Sequence, residues 1–297
     1  MINTYAVNGG VDMNSAELKK VIAKEFDKGD CIVAFLDILG FQEYVKRYFN
    51  SDDPEDKKIL ENINDGLIDG LKNVKESENQ EINLVKYKLF SDCVCFSIPT
   101  YQGKVGEVAM LSEMVNRVVN YSFHLIRRNI YPRGGIAVGP HYQDENIIFS
   151  DGLNKAHYLE DKIAIYPRTI LDEELVQRFN RLWIEQKDKI LEFGTEKRIV
   201  TYKDGITFIN PFNLMQSMGK YELKNQKKPS ESQKDFEARL LGIDNDFNKK
   251  VLANVENLIE EYKDKEDVLC KYLWLKDLIK WNMDPKSSNE FEYLLKH

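Results

Sequence analysis

The sequence predicts an α+β protein with a ferredoxin-like, antiparallel-containing sheet and helices packed on one face of that sheet. The first observation is the order of the elements, β-α-α-β-β-α-β-α-β-α, which hydrophobic periodicity indicates over residues 31–193. The second is that residues 84–90 and 93–98 resemble two strands separated only by Ser91 and Asp92, which is typical of a tight hairpin. Crossover helices on both sides of such a hairpin favour the ferredoxin-like arrangement.

The individual elements follow from the spacing of apolar residues, which differs between strands and helices. The first strand, residues 31–39, is an apolar run that only Asp37 interrupts, so we expect a central strand of the sheet there. The other predicted elements are helices at about 41–49, 53–74, 106–129 and 151–160 and from 172, and strands at 133–139 and 163–166.

The chain divides into three predicted parts. They are an N-terminal helix (1–30), a central domain (31–193), and a C-terminal hairpin and helical extension packed on that domain (194–297). The elements expected in the outer parts are an amphipathic helix at 14–28, a hairpin at 198–209, a polar linker at 222–237 and helices over 236–283.

The composition excludes several classes of protein. The chain has 42 Lys plus Arg and 49 Asp plus Glu, a formal charge of -7, whereas a protein that wraps a nucleic-acid backbone needs a surplus of cations. The N-terminus has neither the basic nor the apolar region of a signal peptide, and no apolar run approaches the ~20 residues that span a bilayer. We therefore expect a cytoplasmic protein with no nucleic-acid partner and no membrane insertion.

The four cysteines, Cys31, Cys93, Cys95 and Cys270, do not have the C-x-x-C spacing of a zinc site. Cys93 and Cys95 alternate on the same face of a predicted strand, where a buried thiol behaves as a small hydrophobic group. We expect all four to be reduced and to lie in or near the core.

Two carboxylates are the candidates for chemistry. Asp37 lies near the end of an apolar strand, where a carboxylate is costly unless it is paired or metal-bound. Asp92 lies at the tip of the hairpin, which in a ferredoxin-like sheet is beside the first strand. Taken singly, Asp92 could be a turn former and Asp37 a helix cap. Together, with Gly40 allowing a ligand close to the backbone, they favour magnesium or manganese held between carboxylates and triphosphate oxygens.

Four segments resemble the signature segments of class III adenylate and guanylate cyclase catalytic domains, and they occur in the family's order over about residues 31–171. Ser91 and Ser150 stand where that family usually has glycine. The segments are residues 35–41 (F-x-D-I-x-G-F in the family), 88–92 (K-x-x-G-D), 133–139 (R-x-G-I-x-x-G) and 149–156 (F-G-D-x-V-N-x-A).

The layout of the whole chain, including residues 271–275 near its end, is similar to that of the small bacterial antiphage (Pycsar) cyclases, which make cyclic CMP or cyclic UMP. This narrower resemblance implies a phosphorus-oxygen lyase that makes a pyrimidine cyclic nucleotide as a second messenger in antiviral defence.

The resemblance also implies a head-to-tail homodimer with two sites at its interface and two Mg²⁺ or Mn²⁺ ions in each site. Lys88, Ile147 and Asn154 would come from the other subunit, where Lys88 contacts the base and Asn154 orients the ribose. The implied metal ligands are Asp37, Ile38 and Asp92, and the implied catalytic residues are Asp37, Asp92, Arg133, Asn154 and Tyr158. The residues that we predict to bind the substrate are Ile38, Leu39, Gly40, Phe41, Tyr44, Lys88, Ile147 and Lys203.

Two departures from the family bear on the reaction. Tyr158 stands where the family has its transition-state arginine, so another cation must serve, and Arg133, Lys203 and Arg198 are the candidates. Ile147 stands at the position that reads the purine edge, and an apolar residue cannot do so by hydrogen bonding.

Three functions therefore stay open. The first is a pyrimidine cyclase, with UTP favoured over CTP. The second is an adenylate cyclase with a displaced base pocket, which the loss of the arginine and of the purine reader disfavours. The third is an inactive, cyclase-like module that binds a nucleotide or a partner, which the retention of Asp37 and Asp92 disfavours.

Overall fold

The computed structural model describes residues 29–78, 85–100, 104–214, 227–228 and 230–295. The predicted helix at 14–28 lies outside these residues, and so do positions 222–226 and 229 of the predicted linker. Within them, the structure confirms the predicted α+β class, because helices are combined with one mostly antiparallel sheet.

The described strands form a single sheet in the order β2-β3-β1-β4-β6-β8-β7-β9, with β5 paired to the end of β4. Its first four strands pair antiparallel, and the β4–β6 pair is parallel. The strands are β1 (Asp30–Ile38), β2 (Lys86–Phe90), β3 (Cys93–Pro99), β4 (Pro132–Gln143), β5 (Ile148–Ser150), β6 (Thr169–Leu171), β7 (Ile199–Tyr202), β8 (Thr207–Ile209) and β9 (Phe291–Tyr293).

The helices of the described residues lie between these strands and in the C-terminal part. The helix predicted at 53–74 is two helices, α2 and α3, separated at Lys58. A π-helical turn, Leu159–Ile163, continues directly from the end of α5. The helices are α1 (Phe41–Asn50), α2 (Pro54–Lys57), α3 (Ile59–Glu78), α4 (Lys104–Ile126), α5 (Asp151–Tyr158), α6 (Glu173–Phe193), α7 (Gln233–Glu261) and α8 (Glu266–Met283).

Helices cover both faces of the sheet, so the prediction that they pack on one face is wrong. Ile32 and Leu36 of β1 face a core shared with α3, α4 and α6. Cys31 and Val33 point to the other face, where Leu153 of α5 packs against them. Both alternating sets of β1 side chains are apolar, so each face of this strand needs a cover to remove it from water.

The strand predicted at 163–166 is also wrong, because helical structure continues to Ile163 and the next strand is β6. Ala164 and Tyr166 do not pair with a strand but pack against the C-terminal helices, with the Tyr166 ring stacked 5.0 Å from that of Trp274. A short apolar run has no periodicity of its own, and here packing against a distant segment determines its conformation.

The C-terminal part extends the same sheet. The hairpin of β7 and β8 turns at Gly205, which has a φ of 81° as a tight turn requires, and β9 pairs with β7. Helix α7 begins at Gln233, inside the predicted polar linker, because the Ser232 hydroxyl accepts a hydrogen bond from the Asp235 amide and caps it. Residues of α7 and α8 form a second core with β6, β7 and β8.

We expect Gly135→Ala to lower the free energy of unfolding by about 1–3 kcal/mol. Gly135 lies in β4 where α5 crosses it, and a Cβ there would overlap the Ala156 carbonyl oxygen and come within 2.6 Å of the Leu159 Cβ. Urea denaturation measures the change. The matched control is Gly242→Ala in α7, where a Cβ meets nothing within 4 Å and should raise stability by about 0.5–1 kcal/mol. Similar effects of the two substitutions would contradict the close packing of α5.

Candidate functional site

The carboxylates of Asp37 and Asp92 come together at one end of the sheet. Because β1 and β3 are antiparallel, the end of β1, with Asp37, lies beside the start of β3, with Cys93. One potential ligand atom from each of Asp37, Asp92 and Cys93 lies within 4.8 Å of the other two. The turn that presents Asp92 includes Ser91 at a φ of 56°, a left-handed conformation that usually favours glycine.

Each oxygen of Asp37 has a different neighbour. The Cys93 thiol donates a hydrogen bond to Asp37 Oδ1 over 3.4 Å. Arg133 lies opposite Asp37 in the β1–β4 register, and its Nη2 is 3.7 Å from Asp37 Oδ2. The same Nη2 makes an ion pair with Glu160 Oε1. The site therefore contains three carboxylates and one guanidinium.

These contacts leave Asp37 in an environment that disfavours its charged form. Burial, then the hydrogen bond and the negative charge of Asp92, raise the pKa of Asp37 from 3.8 to about 7. Burial and the same carboxylates raise the pKa of the Cys93 thiol above its ordinary value, which keeps the thiol protonated. A divalent cation between the carboxylates would reverse this effect on Asp37, and Mg²⁺ and Mn²⁺ prefer such oxygen ligands.

The segment after Asp37 turns sharply into α1. The Ile38 side chain is buried in the core, which leaves its backbone as the part that could face a ligand. The Leu39 amide donates to the Tyr131 carbonyl, and Gly40 caps α1 at a φ of 78° with no side chain occupying the helix start. Half-buried Phe41 begins the helix and packs against the core. The first amides of α1 have no acceptor within the helix, so they suit an anion.

The structure also gives the positions of Tyr44, Lys203 and Arg198. The Tyr44 hydroxyl donates to the Asn129 carbonyl oxygen over 3.5 Å, and the stacking of its ring on a base stays a prediction. Lys203 lies in the β7–β8 turn, four strands from β1, and forms a 2.5 Å ion pair with Glu290.

Arg198 is buried and contacts the Asn116 side chain of α4. Within one chain, Lys203 and Arg198 contact Glu290 and Asn116 rather than the carboxylates, so their role as the missing cation stays a prediction. Of the three candidate cations, the structure places Arg133 beside the carboxylates.

A second group of predicted residues lies around the β4–β5 hairpin. The Lys88 ammonium donates to the Glu145 carbonyl oxygen at 3.0 Å, next to the loop that carries Ile147. Ile147 and Asn154 line a cleft of ≈ 760 Å³, and the Ile147 side chain is 55% exposed. Tyr158 is exposed further along α5. The cleft is lined by Pro140, His141, Tyr142, Ile147, Ile148, Phe149, Ser150, Asp151, Leu153 and Asn154.

Ser150, which stands at a glycine position of the family, begins α5 as its cap. Its hydroxyl oxygen accepts a hydrogen bond from the Leu153 amide at 2.9 Å and lies 2.8 Å from Nδ1 of the buried His141. These bonds fix the start of the helix that carries Asn154.

Sequence reasoning missed two residues that contact the carboxylate pair or its arginine. Cys93 follows Asp92 directly, and its place in the strand could have indicated a side chain on the same face as Asp37. Glu160 is 4% exposed, and in the sequence it is only the first of two consecutive acidic residues after Leu159. The π-helical turn that directs it inward leaves no periodic pattern.

No family model and no curated protein matches this chain. Among solved structures, the crystal structure of the guanylyl cyclase Cya2 is similar with a TM-score of 0.31 and 9% identity, over 51% of this chain and 79% of that chain. A similarity of this size supports no functional argument, which must therefore come from the site. In the described residues, no helix has both the length and the apolar character needed to cross a membrane.

We expect Asp37→Asn to raise the thermal stability of the metal-free protein more at about pH 8 than at about pH 5. The folded-state pKa of Asp37, about 7, lies above its ordinary 3.8, so wild-type stability falls as pH rises through this window. An asparagine avoids this loss, which we expect to be about 1–3 kcal/mol above the window. Thermal unfolding in a chelator measures it.

Asp56→Asn is the control of opposite sign. The Ser51 hydrogen bond and then Arg47 lower the pKa of Asp56, so its charged form stabilises the fold and its loss should lower the melting temperature at the higher pH. If Asp37→Asn were no more stable than wild type at either pH, the carboxylates would not repel each other as the structure indicates.

Proposed function

We propose that this protein is a nucleotide cyclase that converts a nucleoside triphosphate to the 3′,5′-cyclic monophosphate and pyrophosphate. The observation that carries the proposal is the pair Asp37 and Asp92, which come from two separate segments and approach within 4.8 Å. The four segments that resemble class III cyclases support it, because two of them contribute these aspartates.

Asp37, Asp92 and the backbone of Ile38 would hold two Mg²⁺ or Mn²⁺ ions. When bound, the ions would assist deprotonation of the ribose 3′-hydroxyl and neutralise the triphosphate. The 3′-oxygen then forms a bond to the α-phosphorus, the bond from this phosphorus to the bridging oxygen breaks, and pyrophosphate leaves with those electrons.

The start of α1 supplies the next contribution. The Glu43 and Tyr44 amides donate to the Gly40 carbonyl, and the amides of Phe41 and Gln42 come first in the helix, where no residue of α1 can accept from them. A Cβ at Gly40 would meet nothing within 4 Å, so space is open beside this turn. We propose that these amides bind phosphate oxygens next to Asp37.

A second subunit would complete the site. The side chains of Ile147 and Phe149, beside the cleft, are 55% and 80% exposed. Neighbouring apolar side chains that are this exposed favour burial against a protein partner. Lys88, Ile147 and Asn154 border this same surface, so a partner placed there could share them. We propose a homodimer in which these residues act on the substrate that Asp37 and Asp92 of the other subunit bind.

The base is proposed to be a pyrimidine, with UTP favoured over CTP. Ile147 has no hydrogen-bonding group with which to select a purine edge. Lys88 could donate to the O2 carbonyl of a pyrimidine once it leaves the Glu145 carbonyl. The resemblance to antiphage cyclases supports a second-messenger role in antiviral defence.

We expect the purified protein with Mn²⁺ and equal UTP, CTP, ATP and GTP to form mainly cyclic UMP, then cyclic CMP. Mass spectrometry of the products measures this selection. Asp92→Ala is the control and should lower turnover at least about 100-fold, because it removes a ligand of a hard cation. A dominant cyclic AMP or cyclic GMP product would refute the pyrimidine choice. Nucleotide binding without any product would instead identify an inactive binding module.

We expect subunit mixing to restore activity between two inactive variants. In a heterodimer of Asn154→Ala and Asp37→Ala, one site contains both substitutions and the other contains neither. At equal mixing we expect about a quarter of wild-type activity per subunit, because half of the dimers have one working site of two. No rescue at any ratio, or a monomer at assay concentration, would contradict the shared site.

A further inference from the structure

The ion pair between Arg133 and Glu160 holds a cation directly beside the candidate metal ligands. Arg133 Nη2 contacts Glu160 Oε1, while its distance to Asp37 Oδ2 is 3.7 Å. The Arg133–Glu160 contact is an ion pair without an aligned hydrogen bond, so its attraction is Coulombic. The Arg133 guanidinium therefore lies between two carboxylates, and Glu160 is the closer of the two.

We propose that Glu160 is a positioning residue of the metal site, an inference that rests on the proposed function. The Glu160 carboxylate holds the Arg133 guanidinium in an ion pair. Arg133 is therefore kept farther from Asp37 Oδ2 and does not neutralise the metal-binding carboxylates.

The two oxygens of Asp37 have different neighbours, so the position of Arg133 determines whether Asp37 is available to a cation. Oδ2 lies 3.7 Å from Arg133 Nη2, and Oδ1 accepts a hydrogen bond from the Cys93 thiol. A close Arg133–Asp37 pair would neutralise Asp37 and compete with a divalent cation for the same carboxylate. With Glu160 present, three carboxylates and one guanidinium leave a formal charge of -2 when all are ionised, which attracts divalent cations.

Close packing determines the place of Glu160. It lies in the π-helical turn that follows α5, and α5 approaches β4 closely because Gly135 has no side chain. Glu160 is consequently 4% exposed, and a carboxylate with so little water needs a cation. In the part of the chain that the structure describes, Arg133 is the cation that forms an ion pair with it.

Mn²⁺ binding in the absence of nucleotide, measured by electron paramagnetic resonance of the free ion, tests this role independently of turnover. We expect Glu160→Gln to raise the Mn²⁺ Kd by about tenfold or more, because Arg133 then pairs with Asp37. We expect the double variant Arg133→Met/Glu160→Gln to restore the Kd to within about threefold of wild type, because the competing cation is gone.

The control is Glu113→Gln in α4, which breaks a partly buried ion pair with Arg117 and should leave the Kd unchanged. If Glu160 only anchored α5, its substitution would lower the melting temperature and leave the Mn²⁺ Kd unchanged, which overturns the proposal. If Glu160 bound the metal directly, Mn²⁺ binding by the double variant would stay weak, which also overturns the proposal.

Should Glu160→Gln not fold, the comparison is between Arg133→Met and the double variant. Equal Kd values for these two variants support the proposal, and weaker Mn²⁺ binding by the double variant opposes it.

Failure of the proposed function gives a different result. In that case the wild-type protein would not bind Mn²⁺, or Asp92→Ala would leave the Kd unchanged. If wild type binds Mn²⁺ and Asp92→Ala weakens binding, while Glu160→Gln has no effect, the positioning role alone is wrong.

Discussion

The antiparallel pairing of β1 with both β3 and β4 is the constraint on which the candidate site depends. It sets Asp37 beside Cys93 on one side and opposite Arg133 on the other. A shift of register by one residue would turn Asp37 to the opposite face and bury it among α3, α4 and α6. Because both neighbouring strands fix this register mostly through apolar pairs, the core of the sheet and the geometry of the charged site are determined together.

The second constraint is the close approach of α5 to the sheet. A Cβ at Gly152 would come within 2.9 Å of Val33, and one at Gly139 within 2.8 Å of the Gly152 amide. Small residues at these crossings allow the helix to lie directly on β1 and β4. The π-helical turn then extends from a fixed point, so Glu160 reaches Arg133 while Asn154 stays on the outer surface. Helix α5 therefore connects the carboxylate site to the cleft and fixes the distance between them.

The sequence was sufficient for the α+β class and for the approach of Asp37 to Asp92, because both follow from local patterns and the position of a hairpin beside the first strand. It was not sufficient for side chains that depend on tertiary packing. Lys203 has the right charge, but its position in the sheet follows from pairings far along the chain. The prediction that helices cover only one face of the sheet could have been avoided. Cys31 and Val33 place apolar groups on one face of β1, and Ile32 and Leu36 place them on the other.

Buried Arg168 and half-buried Arg133 make ion pairs of different kinds. Arg168 donates two hydrogen bonds to Asp204 and lies within 6 Å of the ring centres of Tyr166, Tyr202, Phe208 and Trp274. Its charge is satisfied by a single carboxylate and by aromatic faces, as stability alone requires. Arg133 is instead shared between Asp37 and Glu160, and Asp37 keeps a raised pKa. The incomplete neutralisation around Asp37 is consistent with the cation site that we propose.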